Sequence, residues 1–452
     1  MSNGSIIELV SKSELDNELT DMTDKSSIFV FDILNKKNKY SKMDLIYYPQ
    51  GKSNWNTTSR IYIKHDGDIL YGLLLKIKLP KLSVKYLNVE PQIDEYDTTT
   101  PYRVKYTDYI GNSMIDKVSL YINNQLIDEL HGTYMQIYTD LYISDSNRKS
   151  MIGLDDNLNK PKLKMDAEYI YVPLKFWFCD TIKPLPIIAL QNSDIYIDVK
   201  FRDFYDCISV LEQYNSVLYH SDKKHQLFNI EDVSLQANFY LVEHEERKNL
   251  ASREYNLLIT QTQIRSTYLT SSATLDINFN HVVKDLLFFI QPVKNQQNGE
   301  YFNFTAKTKS IPKELYPIMD SNALQLWNLE PFRHLLTQAR ILFNGIERVG
   351  WRDPKYFYLA QNHENYRNML YTYIYMYSFN INPTLNNNWS GCNFSRLENP
   401  QLQVNMKPNP FIISNSPLIT YPIDSNYQLV CYATNYNILV IKGGMAGLKY
   451  NN

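Results

Sequence analysis

The amino-acid sequence predicts an all-β protein built from two copies of one sandwich or jelly-roll unit, and three observations carry that reading. Short runs alternate apolar and polar residues between polar turns. Stretches with helical period are few and short. Three segments of the first half recur, in the same order, in the second. The length agrees, since 452 residues exceed the roughly 250–300 that one hydrophobic core supports.

Taken in order, the first 20 residues are polar and acidic, with Glu8, Glu14, Asp16 and Glu18. A short helix is expected over 12–20, and residues 1–25 read as an N-terminal arm ahead of the first unit. The stretch has neither the basic nor the apolar region of a signal peptide. No apolar run of the sequence approaches the roughly 20 residues that span a bilayer, so synthesis in the cytoplasm is expected.

Ile61-Tyr62-Ile63, residues 73–79 and residues 117–122 have strand composition. The last is closed by Asn123-Asn124, a pair that tolerates the positive φ of a tight hairpin turn. A helix is expected over 132–142. Residues 169–172 form the next strand, and Pro173 is read as opening another, in which Phe176, Trp177 and Phe178 follow one another. Three successive large aromatics cannot share one face of a strand. At least one is therefore expected to leave its own core for a loop, for the seam between the units, or for a neighbouring subunit. Residues 194–201 alternate as a half-buried strand should. The polar run Asp222-Lys223-Lys224-His225 places the division between units of 26–225 and 226–452.

The second half repeats these elements. The hairpin at 118–128 matches 339–348 through the turns Asn123-Asn124 and Asn344-Gly345, and each leads to an aromatic segment (Tyr134 and Tyr138; Tyr356, Phe357 and Tyr358). The stretch from Val172 to the strand at 194–201 matches that from Met376 to Met406, and residues 67–80 match 284–292. One further short helix is expected over 322–327.

Charge and motif content argue against most chemistries. The formal net charge is −2, with no run of five like charges, which argues against a polybasic surface for nucleic acid or anionic lipid. Cys179, Cys207, Cys392 and Cys431 form no C-x-x-C pair and read as buried free thiols. The eight histidines never form H-x-H or H-E-x-x-H. His244-Glu245-Glu246 reads as a solvated charged face, and His131 and His281 as hydrogen-bonded structural residues.

Gly443-Gly444, with Gly447, lacks the Lys-Ser/Thr of a phosphate loop and reads as a sharp turn or a close backbone approach. Asn393-Phe394-Ser395-Arg396 sets a serine beside an arginine without the His and Asp spacing of a triad. Arg396 is expected to pair with an acidic residue, or to cap loop carbonyls, at a subunit contact. No catalytic, cofactor-binding or metal-ligating residue is assigned. The 37 tyrosines suit strands and interfaces, because each offers a large ring with a polar tip; an AT-rich genome explains them equally well.

Taken together, residues 115–128, His131-Gly132, residues 171–178 (Pro173, Phe176, Trp177, Phe178) and 185–191 (Leu190) carry a pattern that continues through the second half. There it comprises Phe279-Asn280-His281 with Lys284-Asp285-Leu286, Asn344-Gly345, residues 390–396, 436–441 and 444–450. In this order they resemble the major capsid proteins of the nucleocytoplasmic large DNA viruses, the group of iridoviruses, phycodnaviruses and mimivirus relatives. The resemblance runs from about residue 27 to residue 450; Val282 and Trp389 depart from it, where proline is common.

It implies two tandem eight-stranded antiparallel jelly rolls side by side, a vertical double jelly roll with strands roughly perpendicular to a capsid surface. It further implies homotrimers of nearly hexagonal outline tiling an icosahedral shell, with minor capsid and penton proteins as partners. The N-terminal arm would then reach inner-membrane-associated proteins, with no direct nucleic-acid contact and no cofactor. The expected location is the virion, after synthesis in the host cytoplasm or a viral factory. The alternative is a transient assembly scaffold of the same fold. An enzyme of the cupin type would need clustered histidines and a glutamate on neighbouring strands, and the sequence has no such cluster.

Overall fold

Alternation puts every second residue of these runs on one face, and burying such faces in pairs folds the chain into two sandwiches. The computed structural model describes residues 40–84, 102–142, 146–179, 183–212, 216–217, 228–297, 299–305, 311–312, 334–365, 373–380, 390–407, 411–412, 420–421 and 426–450. The expected arm at 1–25, the helices at 12–20 and 322–327, the polar run at 222–225 and Trp389 lie outside the described residues.

In the first sandwich the principal strands are β1 (Tyr40–Tyr47), β2 (Thr58–Ile63), β3 (Ile69–Lys78), β4 (Ile115–Ile122), β5 (Gln125–His131), β6 (Tyr169–Pro173), β7 (Ile195–Phe201) and β8 (Asp232–Val242). They form two antiparallel sheets, in the orders β1-β8-β3-β6 and β2-β7-β4-β5. The second sandwich has β9 (Tyr255–Leu269), β10 (Ser272–Asp276), β11 (Val282–Pro292), β12 (Leu336–Phe343), β13 (Ile346–Arg352), β14 (Tyr375–Ser378), β15 (Gln401–Met406) and β16 (Tyr427–Lys442). Its orders are β9-β16-β11-β14 and β10-β15-β12-β13. A last strand, β17 (Met445–Leu448), folds back on β16.

Every position of the first pair of sheets thus recurs eight strands later. In both, successive strands cross between the sheets except at the β4-β5 and β12-β13 hairpins, which is jelly-roll winding. The repetition reaches single residues. β3 carries a bulge at Tyr71, where Gly72 pairs Asn238 and Leu70 pairs Phe239. β11 carries the matching bulge at Lys284, between Val283 and Asp285. Asn123, Asn124, Asn344 and Gly345 all have positive φ (50°, 62°, 53° and 77°), as a two-residue turn matched to strand twist requires.

Helix α1 (Gly132–Tyr142) follows β5, at the expected position. A Cβ on Gly132 would stand 2.1 Å from the carbonyl oxygen of Asn112 and 2.3 Å from that of Ile115, so only glycine lets the helix start there. Helix α2 (His244–Ser252) links the two sandwiches.

Two expectations need correction. The division at 225 falls too early: β8 pairs with both β1 and β3 along its length and so belongs to the first sandwich. The second begins at Tyr255, after α2. Second, no strand opens at Pro173. β6 ends there, and Phe176, Trp177 and Phe178 occupy the turn beyond, so strand alternation does not apply to them. All three are buried in one cluster, with the Phe176 and Phe178 rings stacked at 5.8 Å and Trp177 edge-on to Phe178 at 5.1 Å.

The core is double. One cluster fills the second jelly roll, including Leu286, Phe288, Ile290, Leu429, Cys431 and Ala433. The other fills the first and extends to the opposite face of the same strands: Leu287, Phe289, Val430 and Tyr432. β11 and β16 are therefore buried on both sides, and their alternation is shared between two cores.

Candidate functional site

The strand ends at Ile63, Ile122 and Ile195 lie together, so the turns after β2, after β4 and before β7 share one end of the first jelly roll. The same holds for Asp276, Leu342 and Gln401 in the second. Most of the motif positions singled out in the sequence gather at this end.

The hairpin asparagines act identically in both halves. The Asn123 N–H donates to the Asp194 carbonyl (3.0 Å), and its side chain accepts from the Asp194 N–H (3.2 Å). The Asn344 N–H donates to the Glu398 carbonyl (3.1 Å), and its side chain accepts from the Glu398 N–H (2.7 Å). Each asparagine ties its turn to the connection entering β7 or β15. Asn124 in addition accepts from the Tyr196 hydroxyl (2.9 Å).

The C-terminal hairpin crosses from the second jelly roll to the first at the same place. Gly443 and Gly444, with φ of 60° and 80°, form its turn. The Gly444 carbonyl accepts from the Asn192 N–H (2.9 Å) and the Ser193 hydroxyl (3.1 Å). Beside Gly447, the Leu448 N–H donates to the Gln125 side chain (3.1 Å). The short turn at Ile187–Leu190 beneath it is fully apolar and buried. The glycine-rich segment is a clasp between the halves.

Its counterpart in the second half is the turn at Phe394–Arg396. Asn393 caps it by accepting from the Ser395 N–H (3.2 Å). Phe394 is buried among Phe279, Phe343 and Phe379. The Ser395 hydroxyl accepts from the His281 N–H (2.7 Å). Arg396 is exposed and makes no ion pair or hydrogen bond with any described residue of its own chain. It stands at a pocket of about 470 Å³ whose other walls include Leu258, His281, Ile438 and Tyr450.

Along the seam the sheet face of β16 and β11 meets β5 and α1. The Tyr134 ring lies 5.5 Å from that of Tyr432 and its hydroxyl 3.2 Å from Thr434 Oγ1. On β5, one Asp128 oxygen accepts from the backbone N–H of Thr262 on β9 and of Glu129 (both 2.9 Å). Burial raises the Asp128 carboxyl to about 7, against the pull of these two donors.

Beside it Glu129 takes Lys117 at 2.8 Å. Burial would raise Glu129, but the hydrogen bonds from Lys117 and Ser119 outweigh it and hold the carboxyl below its usual range. Burial also lowers His131, partly offset by Glu129 and Asp116. On β9, Gln261 donates to the Ile127 carbonyl and accepts from Asn437 (2.9 Å). Asp128 and Asn437 fall within segments the sequence marks (115–128 and 436–441), but neither these two nor Gln261 is singled out there. They read as ordinary polar strand residues, and nothing local shows that a second sheet will cover them.

Gly132 and Pro173 lie outside this end-on cluster and shape the backbone: Gly132 starts α1, and Pro173 closes β6 opposite Leu74. Among the described residues no group of three or more His, Cys, Asp or Glu side chains is arranged to hold a metal. No helix among them is long and apolar enough to cross a membrane. The four cysteines are unpaired, Cys207 and Cys431 fully buried. The arrangement is one of fixed turns, clasps and two-sided sheets.

Known proteins share this layout. A family model described as major capsid protein N-terminus matches residues 29–241, and one described as large eukaryotic DNA virus major capsid protein matches residues 246–447. The two meet between β8 and α2. The major capsid protein of Phaeocystis pouchetii virus is 22% identical over 502 residues, covering 89% of this chain and 91% of its own. That of Paramecium bursaria Chlorella virus 1 is 26% identical over 365 residues, with 76% and 81% covered. Among solved structures, the PBCV-1 virus capsid superposes with a TM-score of 0.72 at 21% identity, over 94% of this chain and all of that one. The Faustovirus major capsid protein gives 0.68 at 13% identity, over 96% and 95%. The structural likeness establishes the double jelly-roll fold.

Proposed function

The chain belongs to the major capsid protein family of the large eukaryotic DNA viruses, and we propose that three copies close into a ring of six jelly rolls from which the viral shell is tiled. It is a structural protein of the virion capsid, not an enzyme, and its relatives are named as capsid proteins, which does not favour the scaffold alternative.

One observation carries the ring. Inside the chain, edge strand β5 of the first jelly roll packs against edge strand β9 of the second, burying Ile127, Asp128 and Leu130 on one side and Ile259 and Gln261 on the other. The repeats of these edges are β13 and β1, and among the described residues no strand pairs with the outer side of either. Trp351, in the place of Leu130, is 36% exposed and Ile346 is 74% exposed; Tyr40 and Ile46 on β1 are 66% and 52% exposed.

Beside β1 the outer sheet face is tyrosine-rich. Tyr71 and Tyr240 stack at 4.0 Å, with Tyr40 edge-on at 5.4 Å. The same face of the second jelly roll carries the buried Leu287, Phe289 and Tyr432 of the seam. A surface that repeats a seam but lacks its partner is satisfied by the next copy: β13 of one chain against β1 and this face of another. Such a head-to-tail contact closes into a ring when its rotation does, and aromatic, amphipathic rings suit it.

Lattice contacts between trimers, contacts of the turn-bearing end with minor and penton proteins, the reach of residues 1–25 to membrane-associated proteins, and synthesis in a host factory belong to the same reading. Light scattering on the purified protein tests the ring. A species of three times 53.2 kDa, reduced to monomer by Trp351→Asp with the β-sheet spectrum intact, is expected. A parent that remains monomeric, or a Trp351→Asp variant that stays trimeric, refutes the assigned contact.

A further inference from the structure

The duplication also shows what is missing from one of its copies. In the first jelly roll Asp68 precedes β3 by one residue. Its buried carboxylate takes the Arg247 guanidinium of α2 (3.0 Å) and the Val242 N–H (2.9 Å), and α2 lies along the turn Ile187–Leu190. Three residues before the matching bulge of the second jelly roll stands His281. The backbone confirms the equivalence: the Ile188 N–H donates to the Asp68 carbonyl (3.0 Å), and the Phe394 N–H to that of His281 (2.9 Å). Two residues on, Arg396 holds the place of the buried Leu190.

The surface that α2 covers in the first jelly roll is therefore, in the second, the pocket of about 470 Å³ bearing Arg396. After β16 the chain turns through the Gly443-Gly444 clasp and folds back as β17, which lays no helix over the pocket and brings only Tyr450 to its wall, ring to ring 6.0 Å from His281. The charge is reversed as well. Where the first copy offers a carboxylate to a helix-borne arginine, the second offers an exposed arginine above the apolar Leu258 and Ile438.

We propose that this pocket is a docking site for a short acidic, apolar-faced helical segment of another shell protein, held by a carboxylate on Arg396 in the mirror image of the Arg247–Asp68 pair. The partner's being a shell protein rests on the capsid reading; the pocket and its charge do not. A carboxylate on a guanidinium is a strong, directional hydrogen-bonded pair, and the apolar floor supplies the contact area that an exposed ion pair lacks.

The test uses the full-length protein and two labelled helix-forming peptides read by fluorescence anisotropy. One presents leucines on one face with glutamates a turn away, and the other has lysines in the glutamate positions. The glutamate peptide is expected to saturate at one per chain, to weaken at least tenfold in Arg396→Glu, and to be lost in Leu258→Asp. The lysine peptide is expected to bind Arg396→Glu and not the parent. Absence of saturable binding by the glutamate peptide, or equal binding by parent and Arg396→Glu, overturns the proposal. Light scattering on the same samples separates it from the ring. A variant at Arg396 that loses the trimer makes the pocket a contact between copies and sinks the docking reading alone. A monomeric parent sinks the ring alone, while the peptides still report on the pocket.

Discussion

Asp128 is held at the seam by two backbone donors, with its carboxyl raised to about 7 from an ordinary value near 3.9. A raised folded value means that the fold favours the neutral acid. The stability this gives is present in full below about pH 4 and is lost as pH rises to about 7, at a slope of about 1.4 kcal/mol per pH unit. Thermal unfolding followed from pH 5 to 8 is expected to fall more steeply in the parent than in Asp128→Asn, whose amide keeps the acceptor oxygen and cannot ionise. Equal slopes would show that Asp128 titrates normally and that the seam is wetter than it looks. Asp68 differs in its partners, the Arg247 guanidinium as well as a backbone N–H. Asp68→Ala removes the acceptor of Val242 and Arg247 and is expected to cost about 2 kcal/mol in denaturant unfolding, with α2 exposed to proteolysis.

At the element scale, the fold depends on a few backbone positions with no tolerance. Gly132 starts α1 against two carbonyl oxygens closer than any Cβ can approach, so Gly132→Ala must move either the helix or the chain at 112–115. A loss of about 3 kcal/mol or more, measured by denaturant midpoint, is expected. A change within about 0.5 kcal/mol would mean that the helix start relaxes freely. The hairpin asparagines are tied to the incoming connection on both their N–H and side chain, which explains why the same turn is built twice. By contrast the Ile187–Leu190 turn and the Phe394–Arg396 turn share a backbone and differ in surface, apolar in one and charged in the other. An element can thus be repeated for its shape and diverge in what it meets.

For the whole molecule, the two-sided burial of β11 and β16 joins the jelly rolls into one cooperative body. Phe289 faces the seam, 4.2 Å from Phe304, while its neighbour Phe288 faces the second core. Truncating either to alanine is expected to cost about 3–5 kcal/mol. Calorimetry on Phe289→Ala should still show one transition. Two separated transitions would show that the seam is weaker than either core and that the halves unfold independently.

Much of this was legible in the chain. The period-2 runs, the Asn-Asn and Asn-Gly turns and the helix after β5 stand where the sequence places them, because each is set by residues close in sequence, and the duplication shows as the same local patterns recurring in the same order. The steric rule for Asn123 or Gly345 needs no distant partner. The division between the halves was misplaced because β8 belongs to the first jelly roll only through pairing with β1, at the far end of that unit, and polarity at 222–225 carries no trace of it. The pattern at Phe176, Trp177 and Phe178 suits a strand, but alternation has meaning only where a ladder exists, and the ladder ends at Pro173. The charge state of Asp128, the two-sided role of β11 and β16, and the exposure of Arg396 in the place of a buried leucine were decided by tertiary structure alone. Each depends on which face meets which across the seam, and burial, unlike backbone propensity, is a property of the partner as much as of the residue.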